Sequence, residues 1–207
     1  INNTGVEFML YGTPVKTRDF QFDITANLAH NSSTVKELAD GVNRVYFAGD
    51  SNMPVKVGAV KGGKLGDIFA NNLMQRDAQG RVIIGDDGLP MAATGDGNLE
   101  QYLLDHPIGN IQPDLLMSIT PTFTYKGISL TAMFDMKFGG DIVSVSEGMA
   151  TSVGTSERTA YRGEYKTVNG VQDWYMVVPG VKADGSVNTQ EVSAQKYYST
   201  IGLYSSQ

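Results

Sequence analysis

The chain has no cysteine among its 207 residues, which excludes disulfides, thiol catalysis and zinc held by cysteine. Two histidines, His30 and His106, leave little material for a histidine-based metal centre. Positive charge is scarce: 16 Lys+Arg against 22 Asp+Glu give a net charge of -6, with a pI near 4.8. A basic face for neutralising phosphates is therefore missing, and a nucleic-acid partner is not expected. No run of about 18 apolar residues exists, so no transmembrane helix is expected either. That absence does not exclude a membrane protein, because barrel strands need only about 9–11 residues of alternating polarity. Glycine is the abundant residue, at 24 positions. The chain starts at Ile1 on the approach to a strand, without a secretory signal, and reads as an internal fragment.

Apolar residues alternate with polar ones in four places, counted face by face. From Phe20 to His30 one face carries Phe20, Phe22, Ile24, Ala26 and Leu28, and the other Gln21, Asp23, Thr25, Asn27 and Ala29. From Leu115 to Tyr125 the odd positions are Leu115, Met117, Ile119, Pro121, Phe123 and Tyr125, against Ser118, Thr120, Thr122 and Thr124. From Ile128 to Phe138 the even face is Ile128, Leu130, Ala132, Phe134, Met136 and Phe138. Val6 to Tyr11 is shorter and less clean. The three longer runs are about twice the usual soluble strand, long enough to cross a bilayer when tilted. Their aromatic ends (Phe20, Phe123, Tyr125, Phe138) suit interfacial girdles. A soluble sheet with one wet face would show the same alternation.

The connections separate the two readings. Lys126-Gly127 closes a tight hairpin and Gly12 to Asp19 joins the first two segments compactly. Roughly 85 residues then part the second segment from the third and about 65 follow the fourth, too long for loops of a compact soluble domain. Short turns at one end and long loops at the other are the asymmetry of outer-membrane barrels. The fold expected is all-β: an antiparallel transmembrane β-barrel segment of about four long strands, with short periplasmic turns, two long extracellular loops and an incomplete barrel. Strands occupy 1–30 and 114–141; the loops occupy 31–113 and 142–207. Within the loops, Asp77 to Gly80 reads as a turn into Arg81–Ile84, Asn98 to Asp105 as a short helix, and Gly163 to Val187 as small surface hairpins rather than a second domain.

Several motifs carry less than they first suggest. Gly58 to Leu65 nearly spells a phosphate-binding loop, but Leu65 stands where a magnesium-holding Ser or Thr is needed and no amphipathic helix follows. Asp86-Asp87-Gly88 and Gly95-Asp96-Gly97-Asn98 invite a calcium reading without the ligand spacing of one. Nothing singles out a nucleophile, a base or a carboxylate pair, so no catalytic residue, metal or cofactor is assigned and the chain is not read as an enzyme. Asp135 and Lys137 share the polar face of the fourth segment, where they either line a substrate path or form a water-facing ion pair. Trp174 and Tyr175, with Tyr197, Tyr198 and Tyr204, either stack on sugar rings, meet a partner protein or build the small cores of loop hairpins.

Ile108 to Ser144 (IGNIQPDLLMSITPTFTYKGISLTAMFDMKFGGDIVS) resembles a stretch of the SusC/RagA family of TonB-dependent outer-membrane transporters, with its loop end, strand, YKG turn, strand and GGDI. NTGVEFMLYGTPVKTRDFQFDITANLAHNSSTVKEL (Asn3 to Leu38), VKVGAVKGGKLGDIFA (Val55 to Ala70), RDAQGRVIIGDDGLP (Arg76 to Pro90) and GTSERTAYRG (Gly154 to Gly163) are similar to further family stretches, in the same order. Lys61 to Lys64 stands as an insertion, and Phe69-Ala70 replaces the family's Tyr-Gly. The resemblance implies a few later strands of a barrel of about 22 strands, without the plug domain that contacts TonB. It further implies import of glycan or peptide nutrients, a SusD-like surface lipoprotein as partner, and a place in the bilayer of the bacterial outer membrane. The alternative is a soluble, secreted β-sheet module that binds carbohydrate.

Overall fold

A computed structural model describes residues 1–49 and 54–202, apart from the Asp96 side chain. Along the chain run β1 (Asn2–Lys16), β2 (Phe20–Thr34), β3 (Arg44–Ala48), β4 (Val55–Val60), β5 (Asp67–Ala70), α1 (Leu99–Asp105), β6 (Gly109–Asn110), β7 (Leu115–Tyr125), β8 (Ile128–Thr131), β9 (Phe134–Phe138), α2 (Val145–Ser152), β10 (Glu164–Val168), β11 (Val171–Val177), β12 (Glu191–Ser193) and α3 (Ala194–Ile201). They form a sheet β1-β2-β7-β8 with β9 also on β7, a short sheet β3-β4-β5-β6, and a sheet β10-β11-β12.

The long sheet is antiparallel throughout, and its register carries the alternation across all the strands. Phe8 lies opposite Leu28, Leu28 opposite Met117, and Met117 opposite Met136. One row along, Leu10, Ala26, Ile119 and Phe134 align in the same way. Directly opposed residues project from the same side of a sheet, so these rows make one apolar face. The intervening rows, such as Asn27–Ser118–Asp135 and Asp23–Thr122–Thr131, make a polar one. The apolar face is bare: Phe8 is 60%, Ile128 77% and Leu130 68% exposed. At the edges, β1 on one side and β8 and β9 on the other have no outer neighbour among the described residues, so the sheet is open and not closed into a barrel.

Three boundaries differ from the sequence expectation. β1 does not end near Tyr11 but runs to Lys16, through a bulge between Gly12 and Val15. The extra residue swings Val15 onto the apolar row opposite Phe22, so alternation counted from Val6 loses phase there. The connection shrinks to residues 17–19, where the Thr17 hydroxyl and backbone both bond Phe20. β2 continues past His30 to Thr34, its last residues pairing with Asn2–Val6. The segment Ile128–Phe138 is interrupted at Ala132-Met133, yet β8 and β9 keep one register against β7. The cause is Pro121: it accepts a 3.1 Å bond from the Ala132 N–H and has no N–H to return.

Both short turns lie at one end of the sheet. Lys126 (φ 48°) and Gly127 (φ 87°) form the two-residue hairpin with both central residues left-handed. Lys126 N–H donates to Asp19 O at 2.8 Å, which ties this turn to the one before β2. All the long connections leave from the opposite end, as expected of periplasmic turns and extracellular loops.

The chain divides into two compact units: residues 1–45, 58–67 and 109–142, and residues 46–57, 68–108 and 143–207. The second holds most of the buried apolar side chains, and the loop pieces do not remain separate hairpins. Ile84 and Leu89 from the first long loop pack with Val178 and Val192 from the second, and Ile84 N–H bonds Val181 O at 2.8 Å. A second cluster joins Met176, Ala194 and Tyr198, and a third joins Ala70, Leu73 and Ala93 beneath Tyr102 and Leu103 of α1. α1 falls where the sequence places a helix, started by Asn98, whose side chain accepts from Gln101 N–H. The Asp77 to Gly80 turn also stands: Asp77 accepts from the N–H groups of Gln79 and Arg81, but Arg81–Ile84 makes single bridges instead of a regular strand.

Candidate functional site

The polar face of the long sheet is a ladder of hydrogen-bonding side chains. Thr122 and Thr131 meet at 3.0 Å, Thr124 and Ser129 at 2.8 Å, and the Asn27 amide donates to the Ser118 hydroxyl at 3.0 Å. Asp23 accepts from the Thr13 hydroxyl at 2.6 Å and from the Gln21 amide at 2.8 Å. Asp135 sits opposite Ser118 at the end of the Asn27 row, and Lys137 sits opposite Leu116. Both are exposed, and among the described residues no ion pair joins them. The water-facing ion pair is therefore not formed. What this face offers is hydroxyls, amides and unpaired charges, Asp135 and Lys137 among them, groups that can hydrogen-bond a polar solute.

Where the strands give way to the loops, a clasp joins two of the family-like stretches. Asp67 is buried; its carboxylate accepts from Lys64 N–H at 2.8 Å and from the Asn110 amide at 2.8 Å. Asn110 N–H in turn donates to Asp141 at 2.9 Å, and the Asn110 side-chain oxygen receives Gln112 N–H at 2.8 Å. Gly109 is needed here, since a Cβ would stand 2.6 Å from the Asp141 carboxylate oxygen. Sequence reading gave these residues no role beyond their motifs; the repeated Gly-Asp and Gly-Asn pairs were the available signal.

The aromatic residues of the second loop separate. Trp174 and Tyr175 are consecutive on β11, so their rings leave opposite faces of the sheet and cannot form one stacking platform. Trp174 lies against Tyr165 at 5.3 Å, and borders a cavity of about 290 Å³ with Arg162, Asp173 and Gln195. The Tyr175 hydroxyl reaches Val171 O at 3.5 Å. Tyr197 and Tyr198 are in contact at 5.1 Å, and the Tyr198 hydroxyl donates to Tyr161 O. Burial pushes both phenols above their ordinary pKa, most directly at Tyr197, so each remains a donor. Tyr204 lies outside the described residues.

The remaining motifs have structural roles. Gly58 to Leu65 runs from the end of β4 into the turn before β5, strand to strand, where a phosphate-binding loop would lead into a helix. Asp87 accepts from Leu89 N–H at 3.1 Å and Asp86 lies 3.6 Å from Lys182, so turn bonding and charge pairing occupy both. The Asp96 side chain of the other glycine-rich acidic piece lies outside the described residues. Among the described residues no cluster of three metal-ligating side chains occurs. Neither histidine is simply solvated. His30 bonds Asp114 O from within β2, and His106 bonds Tyr102 O at 2.8 Å while stacking on its ring.

No family model matches the chain. It is 27% identical over 173 residues to the TonB-dependent receptor SusC of Bacteroides thetaiotaomicron, a match that covers 78% of this chain and 16% of that protein. A chain in the structure of the RagAB peptide transporter aligns with a TM-score of 0.48 at 21% identity, covering 73% of this chain and 16% of that one. The chain thus spans about a sixth of the length of the relatives it matches. The resemblance read from the motifs holds: the chain is similar to SusC over most of its length, and its long sheet is all antiparallel and open.

Proposed function

Starting from this SusC/RagA-like barrel segment, we propose that the protein containing it imports glycan or peptide nutrients across the outer membrane. It is energised by TonB through a plug domain and capped by a SusD-like lipoprotein. The observation that carries the reading is the register: rows from β1 to β9 gather most apolar residues of the alternation on one bare face and most hydroxyls, amides and charges on the other. Such a sheet in water would leave Phe8, Leu10, Ile128 and Leu130 wet; in a barrel wall they meet lipid and the polar rows meet the lumen. A soluble carbohydrate-binding module would have to cover that face. On this reading Asp135 and Lys137 line the substrate path, and Trp174 and Tyr175 serve separate contacts.

Extending the reading frame on both sides tests the reading first. A plug-coding region upstream and further alternating strands downstream are expected; stop codons bounding the 207 residues would end it. Deleting the extended gene in its host should then abolish growth on one class of oligosaccharide or peptide while leaving monomer uptake intact. Growth unchanged on all of them would refute import.

A further inference from the structure

The apolar face of the long sheet has two ends that the register defines. Its rows run from Phe20–Tyr125–Ile128 at the short-turn end to Val6–His30 and Leu115–Phe138 at the other. Past that second limit the same face turns polar, with Thr4 opposite Ser32 and Asn2 opposite Thr34. Phe20 to His30 covers about 33 Å along a strand at roughly 3.3 Å per residue. A tilt of about 40° reduces this to about 25 Å, the height of a barrel's apolar band. In a bilayer matched to that band, the Phe20–Tyr125–Ile128 row lies at headgroup level. Tyr125 is 54% exposed there, and the Lys126 ammonium stands 5.4 Å from its ring centroid. Tyr125 belongs to the apolar face, so this cation–π contact holds the charge on the lipid side of the wall.

Backbone geometry does not account for a lysine at this position. Its φ of 48° is left-handed, where Asn, Asp or Gly is favoured. Among the described residues Lys126 has no acidic partner, the Tyr125 hydroxyl makes no hydrogen bond, and the exposed Arg18 of the neighbouring turn is unpaired. Arg18 and Lys126 outnumber Asp19 at this margin, while Lys16 stands on the polar face, opposite Gln21. We propose that Lys126 and Tyr125 form a headgroup site for an anionic phospholipid of the leaflet at the short-turn end. The ammonium and the phenol hydroxyl both donate to the lipid phosphate, and the acyl chains run along Ile128, Leu130 and Phe123. The proposal rests on the membrane-spanning part of the reading above and not on import.

Ile128 lies directly opposite Tyr125, so a fluorophore attached at Ile128→Cys in the full-length protein reports the lipid held there. The protein is reconstituted in phosphatidylcholine vesicles, and quenching by brominated phosphatidylglycerol is compared with quenching by brominated phosphatidylcholine. The anionic lipid should be favoured about fivefold, the effect of one cation near an anionic surface. Lys126→Asn, which puts a residue suited to the left-handed turn in place of the cation, should remove the preference, and Lys126→Arg should keep it. Lys16→Asn, at the same end but on the polar face, should leave it unchanged. Equal quenching by both lipids with Lys126 in place overturns the proposal. So does a preference that survives Lys126→Asn, or one that Lys16→Asn removes as well. A fluorophore at Ile24→Cys separates the underlying reading. Quenching by both lipids there puts the strand in the bilayer whatever residue 128 reports, and quenching by neither refutes the spanning segment itself.

Discussion

Neighbouring residues on β2 make the sharpest contrast in the molecule. Ile24 and Thr25 are adjacent in sequence, yet Ile24 lies on the apolar row with Pro121, and Thr25 on the polar row with Thr120. A lysine facing lipid near the bilayer midplane costs about 2–4 kcal/mol, whereas lumen positions tolerate charge. Ile24→Lys in the full-length protein should therefore lower unfolding stability in lipid by that amount, and Thr25→Lys by much less. Equal losses in denaturant titrations would mean the faces are misassigned. In the loop unit the corresponding test is Ile84, 1% exposed in the cluster that joins both long loops. Ile84→Ala should cost about 2–5 kcal/mol, and limited proteolysis should find both loops cut faster while the strands stay protected.

Two elements depend on the backbone more than on side-chain burial. The β7–β8 hairpin needs left-handed geometry at Gly127, whose φ of 87° a β-branched residue resists. Gly127→Val should destabilise by about 1–2 kcal/mol, read as a shift in unfolding midpoint, whereas Gly127→Asn should cost clearly less. Pro121 is the reverse case, a residue that weakens its own strand. With Val in its place, the N–H facing Ala132 returns and the apolar row is kept, so Pro121→Val should gain about 0.5–1.5 kcal/mol. Slower amide exchange at residues 132–134 would locate the gain at the interruption between β8 and β9.

At the scale of the molecule, charge links the loop unit to pH. Burial pushes Asp77 up, but bonds from Arg81 and Gln79 and the Arg81 charge outweigh it and hold its carboxyl below the ordinary range. The Ser186 hydroxyl, then Ser186 N–H, do the same for Asp184. Each group binds fewer protons folded than unfolded, so its stabilisation is present above the unfolded pKa of about 4 and is lost as pH falls through the folded value. Lys166 runs oppositely: its bond to Glu191, at 2.5 Å, raises it. That contribution is complete below about 10.4 and is lost as pH rises through the folded value. Loop-unit melting followed at Trp174 should be flat across neutral pH and decline at both extremes, with salt reducing the change because all three groups are accessible. A melt that strengthens below pH of about 4 would contradict the assigned directions.

Alternation over Phe20–His30, Leu115–Tyr125 and Ile128–Phe138 was legible because side chains on a strand repeat every two residues, a local property needing no partner. The Lys126-Gly127 turn and the α1 helix were legible for the same reason: the residues that demand the geometry are contiguous. The bulge after Gly12 was not, since its extra residue is defined only against Phe22 and Ile24 on another strand. Nor was the extension of β2 to Thr34, where His30–Thr34 is polar on both faces and only pairing with β1 holds it straight. The Asp67–Asn110–Asp141 clasp and the Ile84–Val178 core join residues far apart in the chain, and no pattern in a short window records such a meeting. Face and turn follow from neighbours along the chain, while register, clasp and core follow from which distant segments exclude water from one another.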